Sequence, residues 1–208
     1  MNIAAEPVSP KIQTPAIGAP FDGGFYAGNI NVDGTTFALI AAPKFDGEHD
    51  DIEWNDSEDR VDSAASYCDG RANTYAMAAA GSALAQWARN LRIGGFDDWY
   101  LPSQDELELC YRALKPGTER NYCWARSGIN LSALPPTRPY TPAFPMQTPL
   151  EAFREGGAEA FDTTWYWTST QYAGNDAYAW FQSFSGGIQN DYRRVGQLLA
   201  RAVRRVAI

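Results

Sequence analysis

The sequence predicts an α+β domain in which two helices pack on short antiparallel strands joined by long loops. The aromatic content of 13%, with 18 glycines and 13 prolines, suits short strands and many turns better than a helical bundle. Two β-prone runs flank Asp33-Gly34 between residues 24 and 42, which is a strong hairpin signal. Two later stretches carry apolar residues at helical spacing. With 208 residues, the chain can bury one sizeable core.

The N-terminal segment differs from the rest of the chain. Residues 1–20 contain four prolines and few large apolar side chains, so they cannot form a core element unaided. Two interpretations stay open, a tail that docks on a partner subunit and a disordered tail. We expect residues 21–208 to form a single domain.

Residues 46–62 are strongly acidic, with nine carboxylates against the single basic residue Arg60. Such a density of oxygen ligands could hold Ca²⁺. The pattern of an EF-hand is absent, because the sixth position counted from Asp51 is not glycine. A solvated acidic loop is the favoured interpretation, and no metal site is predicted.

Two amphipathic helices are predicted in the middle of the chain. Residues 71–91 place apolar side chains from Met77 to Leu91 at steps of three and four, which lines one helix face. The second helix begins at Ser103, because Ser103 and Glu106 have the spacing of a capping box, and it ends before Pro116. In the turn before it, the paired Asp97 and Asp98 are expected to hold the loop rather than to act as acid and base.

A long irregular insertion is predicted at residues 120–163. Six of the 13 prolines lie between residues 132 and 150, which excludes regular structure there. We interpret the segment as an excursion on the binding side of the domain. A subunit contact and a passive surface loop remain open as its role.

The last forty residues combine aromatic strands with polar, tyrosine-rich turns. Five apolar residues are expected to be mostly core: Trp165, Trp167, Trp180, Phe184 and Ile188. Tyrosine offers a large contact area on few rotatable bonds, and Asn, Asp, Ser and Gly add adaptable hydrogen bonding, as in antibody loops. The predicted ligand-binding residues are Gln171, Tyr172, Asn175, Asp176, Tyr178, Gln182, Gln189, Asn190, Asp191, Tyr192 and Arg193.

The closing run of arginines leaves no clean apolar strand face. In Arg201-Ala202-Val203-Arg204-Arg205, at least one arginine is therefore expected to be buried and to be paired or stacked on an aromatic ring. Internal salt bridges to the many carboxylates are favoured over a site for an anionic ligand.

Three blocks of sequence carry a family resemblance. They are GGFDDWYLPS at residues 94–103 with Glu106-Leu107 after it, YWTST at 166–170, and RAVRRV at 201–206. Taken in order, they resemble the C-type-lectin-like domains found at the C-termini of collagen-like bacterial adhesins, in phage tail receptor-binding proteins and in the variable proteins of diversity-generating retroelements. The resemblance covers about residues 21–208. It implies a C-type-lectin-like fold whose ligand-facing positions lie in the C-terminal region.

Several function classes fit poorly. A formal net charge of −8 disfavours a nucleic-acid partner. There is no signal-peptide pattern and no apolar run of membrane-spanning length, so the expectation is synthesis in the host cytoplasm without membrane insertion. His49 is the only histidine, which leaves little material for zinc binding or a catalytic triad. Free, buried thiols are favoured for the three cysteines, with a Cys110–Cys123 bridge left open.

These observations favour a non-enzymatic binding domain without a cofactor. The resemblance implies a phage tail-tip or fibre component, located in the virion tail, that binds a bacterial surface receptor such as a polysaccharide, a pilus or an outer-membrane protein. It also implies contacts with other virion tail subunits and a homo-oligomer, and trimeric assembly would fit a tail-tip role. The alternatives are a purely structural virion or baseplate subunit and, ranked last, an enzyme like the formylglycine-generating enzymes. Those enzymes share the broader fold but use two cysteines near the C-terminus, and here the last cysteine is Cys123.

Overall fold

A computed structural model describes residues 13–124 and 126–208 of the chain. Within that part, two five-stranded sheets are accompanied by four α-helices and one short 3₁₀ helix. Most of the predicted N-terminal tail, residues 1–12, lies outside the described residues. From Gly18 onward the chain already pairs with the sheet, because the Gly18 amide donates to the carbonyl of Tyr26 at 2.7 Å.

The first sheet contains the predicted hairpin and the C-terminal strand. Its strands are β1 (Pro20–Phe21), β2 (Gly24–Val32), β3 (Thr35–Ala41), β5 (Ala133–Leu134) and β10 (Val203–Ala207). Their order is β1-β2-β3-β10, with β5 also paired to β2. The hairpin is confirmed, and both turn residues, Asp33 and Gly34, have the positive φ that a tight hairpin turn requires.

The second sheet supports the C-terminal block. Its strands are β4 (Glu48–Glu53), β6 (Trp165–Gln171), β7 (Tyr178–Ser183), β8 (Gln189–Arg193) and β9 (Gln197–Arg201). Their order is β4-β9-β6-β7-β8, and the contact of β6 with β9 is parallel while the other pairings are antiparallel. Strands β4 and β8 therefore form the two edges of this sheet.

Strand β4 corrects the prediction of a solvated acidic loop over residues 46–62. Residues 48–53 of this segment form β4 and pair with β9, although four of these six residues are acidic. The pairing is possible because Glu48 lies beside the buried Arg201, with 3.7 Å between Oε2 and Nη1. Farther along the strand, the partly buried Ile52 packs on the core. The acidic character predicted exposure, whereas cross-strand charge pairing and one apolar contact determine the structure.

The helices are α1 (Lys44–Gly47), α2 (Gly70–Ala79), α3 (Ala83–Asn90) and α4 (Gln104–Leu114), and the 3₁₀ helix is Glu151–Phe153. The single helix predicted over 71–91 is thus wrong, because two helices occupy this segment. Gly81 has a φ of +93°, which ends the first helix, and Ser82 caps the second through a hydrogen bond from the Ala85 amide. The apolar spacing continues across the break, and for this reason periodicity alone did not locate it.

Helix α4 agrees with the prediction at both ends. The Ser103 hydroxyl accepts from the Glu106 amide, and Glu106 accepts from the Ser103 amide at 2.8 Å, which is the predicted capping box. The helix ends at Leu114, before Pro116. Almost every residue of α4 is buried, because the helix lies against both sheets and is covered by the insertion.

The insertion at 120–163 is largely irregular, as predicted, but it is fastened to α4. The Tyr140 hydroxyl and the Asn130 amide donate to the Glu108 carboxylate at 2.8 and 2.6 Å. Lys115, after the helix, donates to the Asn121 side chain at 2.9 Å and to a backbone carbonyl at 3.3 Å. Buried polar groups on α4 therefore hold the insertion in place.

The C-terminal arginines are buried and paired, as predicted. Arg201 is fully buried and contacts Glu48 and Glu159, and it also lies 4.6 Å from the centre of the Phe161 ring. Arg204 pairs with Asp98 at 2.7 Å, which gives Asp98 the structural role expected for it. These contacts attach strands β9 and β10 to distant parts of the chain.

The three cysteines are free thiols, so the Cys110–Cys123 bridge is not formed. Cys110 is buried, as favoured, and Cys68 is partly buried. Cys123 is exposed, which corrects the expectation that all three thiols are buried; it lies between two exposed aromatic residues in the insertion. No helix among the described residues has the length and apolar character needed to cross a bilayer.

Candidate binding face

The eleven predicted binding residues lie on strands β6, β7 and β8 and in the loop at 172–177. Three of them are buried glutamines. The Gln171 Oε1 accepts from the Val61 amide at 2.8 Å, and the Gln189 Nε2 donates to a carbonyl at the start of α4 at 3.2 Å. Gln182 is fully buried opposite Gln189. These glutamines therefore lie beneath the surface and not on it.

The strand register divides the remaining residues between the two sides of the sheet. Tyr178 is paired with Arg193, and Trp180 with Asp191, so these four side chains share one side. Tyr192, one residue along, points to the other side. The predicted set is thus brought together only in part.

The first side carries a group of aromatic rings, which we call the aromatic face: Tyr67, Tyr172, Tyr178 and Trp180. The centre of the Trp180 ring lies 5.4 Å from that of Tyr172 and 6.4 Å from that of Tyr67. Tyr67 is 38% exposed, and the other three are partly exposed. Rings that are held together and still reach solvent provide a large contact area with little conformational freedom to lose.

Charged groups border the aromatic face. The guanidinium of Arg126 lies 4.5 Å from the centre of the Tyr67 ring, and it forms a salt bridge with Asp105. Burial raises the pKa of Asp105, while the Ser132 hydroxyl and Arg126 act against that rise. On the strands, Asp191 and Arg193 add one charge of each sign. The face therefore combines apolar contact with both hydrogen-bond donors and acceptors.

Buried polar contacts fix the loop that carries Tyr172. Arg194 is fully buried and donates to the backbone carbonyls of Ser57, Asp59 and Asp176 at 2.6, 2.8 and 2.8 Å. Its guanidinium also lies 4.6 Å from the centre of the Trp54 ring. One side chain thus joins the loop to the acidic segment beside it.

The other side of the sheet carries a smaller aromatic group. Trp165 stacks on Phe181 with 4.5 Å between ring centres. Tyr192 packs edge-on against Trp165, with 5.7 Å between their ring centres. Trp165 is 40% exposed, which corrects the expectation that it belongs to the core. Trp167 and Phe184 are fully buried, as expected. Asn190 is exposed on this side as well.

Sequence reasoning missed three residues of the aromatic face and its border. Tyr67 and Arg126 lie far from the C-terminal block and reach the face only through the fold. Trp180, expected in the core, is partly exposed, and its Nε1 has no hydrogen-bond partner among the described residues. The alternation along β7 placed Trp180 beside Tyr178 and could have indicated it.

The described residues offer little for covalent or metal chemistry. Burial raises the pKa of the Cys68 and Cys110 thiols, which disfavours the reactive thiolate. Across residues 13–124 and 126–208, no three His, Cys, Asp or Glu side chains converge in a way that could hold a metal ion.

The chain thus folds into sheets and helices, and its aromatic face lies on β7 and on neighbouring loops. A family model, described as the Lcl C-terminal domain, matches residues 46–204, which is well over half of the chain. This chain belongs to that family. The members of this family are C-type-lectin-like binding domains, and the family is not a known family of enzymes. No curated protein matches the chain.

Proposed function

We propose that this protein is a phage tail-tip or fibre component that binds a bacterial surface receptor through the aromatic face. The observation that carries the proposal is the group formed by Tyr67, Tyr172 and Trp180, whose rings lie within 6.4 Å of their neighbours and remain partly exposed. A soluble protein keeps large aromatic rings at its surface at a cost unless a partner covers them. Membership of a family of lectin-like binding domains also supports a binding function.

The rigid support of the face favours recognition. Arg194 joins the loop of Tyr172 to the acidic segment by three hydrogen bonds to backbone carbonyls, one in the loop and two in the segment. A face that is ordered before binding loses less conformational entropy when the receptor arrives. A polysaccharide, a pilus or an outer-membrane protein would all offer groups that suit aromatic and mixed-charge contacts.

A structural role in the virion is the second candidate, and one observation favours it. Three large apolar side chains away from the aromatic face are strongly exposed: Phe45 at 96%, Leu131 at 87% and Met146 at 73%. Leu131 and Met146 lie in the insertion. Such residues suit contacts with other tail subunits or with further copies of the chain in a trimer.

Binding of the purified protein to intact cells of candidate host strains tests the proposal. The variant is Tyr67→Ala with Tyr172→Ala and Tyr178→Ala. The control carries Tyr75→Ala and Tyr122→Ala, which remove two rings of similar exposure, 45% and 47%, outside the face. Circular dichroism verifies that both variants fold.

We expect the parent and the control to bind and the triple variant to lose at least about tenfold in affinity, since few residues carry most of an interface's energy. If the parent and the triple variant bind equally well, the receptor binds to another part of the protein. If the parent binds no strain and forms an oligomer of defined size, the structural role is the better explanation.

A further inference from the structure

A groove on the first sheet is separate from the aromatic face, since no ring of that face lines it. The groove has a volume of about 560 Å³ and lies where strand β2, helix α4 and the insertion meet. Its lining includes residues 26–29 of β2, Leu109 of α4, and residues 134–138 and Phe144 of the insertion. Ile17, shortly before β1, also lines it. One groove therefore joins the start of the described chain to the insertion.

The groove presents apolar surface to solvent. Ile17 is 39% exposed and Phe144 is 43% exposed. Pro135 and Pro136 in the same lining are exposed as well. Single exposed apolar residues are common on proteins, whereas several of them in one groove mark an interaction site. Because Tyr26 and Phe144 add aromatic rings, the groove suits an apolar partner.

The charged side chains that line the groove within the described chain are both arginines. Arg112 forms a salt bridge with Glu108, with 2.8 Å between Nη2 and Oε1. Arg138 is exposed and has no ion-pair partner in residues 13–124 and 126–208. A partner that carries a carboxylate among its apolar groups therefore complements the groove.

The residues that precede the described chain join the domain at this groove. Ile17 is held there because the amide of the next residue, Gly18, donates to the Tyr26 carbonyl at 2.7 Å. Residues 1–12 lie outside the described residues, and Pro10 is seven positions before Ile17. Seven residues span up to about 25 Å, so Pro10 can reach the groove of its own chain. A short tether of this kind gives an effective concentration in the millimolar range.

The sequence of this preceding segment has the chemistry of a groove ligand. Residues 6–11 read Glu-Pro-Val-Ser-Pro-Lys, so Pro7 and Pro10 are three positions apart. A polyproline II helix has about three residues per turn, which places two such prolines on one edge. Proline-rich segments dock into grooves lined by aromatic residues, because they lose little conformational entropy on binding. Glu6 adjoins Pro7 and supplies a carboxylate that complements Arg138.

We propose that residues 6–11 dock in this groove of the same chain as a polyproline II segment. The docked segment covers the apolar lining and connects the N-terminal residues to the insertion. The same segment of a second copy has identical chemistry, but the tethered segment outcompetes it at micromolar protein concentration, because its effective concentration is millimolar. The contact is independent of receptor binding at the aromatic face.

Photo-crosslinking of the full chain tests the proposal. Benzoyl-phenylalanine, a photoreactive amino acid, replaces Ser9, and mass spectrometry of tryptic peptides identifies the residues to which it attaches. The groove variant carries Ile17→Ser with Phe144→Ser. Its matched control carries Ile129→Ser with Tyr75→Ser, because these side chains are similarly exposed, at 41% and 45%, and do not line the groove. Circular dichroism verifies that both variants fold.

We expect cross-links within one chain to residues 26–29 or 134–144, with a yield that is at least about threefold lower in the groove variant. The control should cross-link as the parent does. Pro7→Ala with Pro10→Ala should lower the yield by a similar factor. That variant changes no residue of the groove, so its result holds even if the groove variant fails to fold.

Three results would overturn the proposal within a single chain: cross-links to another part of the domain, equal yields in the groove variant and its control, or an unchanged yield after the proline replacements. Cross-links between two chains would overturn it too, because the occupant of the groove would then be a second copy.

Discussion

Arg194 is the most informative residue to replace, because it joins the loop of the aromatic face to the acidic segment. In Arg194→Met the apolar part of the side chain is kept, while three hydrogen bonds to the carbonyls of Ser57, Asp59 and Asp176 are lost. An unpaired buried acceptor costs about 1–3 kcal/mol. Ser57 and Asp176 are partly exposed and Asp59 is exposed, so water can hydrogen-bond to these carbonyls in the variant and reduce that cost. We expect the free energy of unfolding to fall by about 2–4 kcal/mol.

Urea denaturation followed by tryptophan fluorescence measures this loss, and amide hydrogen exchange locates it. Protection should fall in residues 57–61 and 172–177 more than in the strands. The matched control is Arg193→Met, one residue away, whose exposed guanidinium should contribute less than about 0.5 kcal/mol. A loss below about 1 kcal/mol in Arg194→Met, or an equal loss in both variants, would refute the idea that Arg194 holds the loop.

Three further predictions concern the helices and one buried carboxyl group. Ser103→Ala removes the buried N-cap of α4 and should lower the unfolding free energy by about 1–2 kcal/mol in urea denaturation; an unchanged midpoint would contradict the capping role. Gly81→Ala forces a side chain into a positive φ and should lower the free energy of unfolding by about 1–2 kcal/mol, whereas Gly117→Ala should leave it nearly unchanged. Calorimetry of the two variants measures this difference. Burial raises the pKa of Glu48 above its ordinary value of 4.5, so its contribution to stability is full below that value and is lost as pH rises through the folded pKa. As pH rises above about 4.5, stability should therefore fall more steeply in the parent than in Glu48→Gln, and parallel curves would show that Glu48 does not contribute to this pH dependence.

Local signals in the sequence located the elements that depend on neighbouring residues. The hairpin at Asp33-Gly34 and the capping box at Ser103 follow from turn and cap chemistry that acts within a few residues. The break in the predicted helix at 71–91 was missed, because the apolar period runs through Gly81 without interruption. A glycine inside a helical pattern is common, and only the backbone angle shows that this one ends the helix.

Longer-range features could not be read from local patterns. Strand β4 consists mostly of acidic residues, and its pairing depends on Arg201, which lies far away in sequence. For the same reason the candidate face was only partly predicted. The C-terminal region was indicated by composition, while Tyr67 and Arg126 are brought to it by the fold. The strand register, which separates Tyr192 from Tyr178, depends on pairings that composition does not specify.

The pairing of β3 with β10 has a consequence for how the chain reaches its folded state. The partner strand of β3 consists of residues 203–207, far along the chain from the first hairpin, so the first sheet cannot be completed until those residues have been synthesised. Contacts between such distant segments slow folding, because a long loop must be closed before they form. Until then β3 presents an open edge to other nascent chains. Deleting residues 203–207 would make that temporary edge permanent and would favour aggregation.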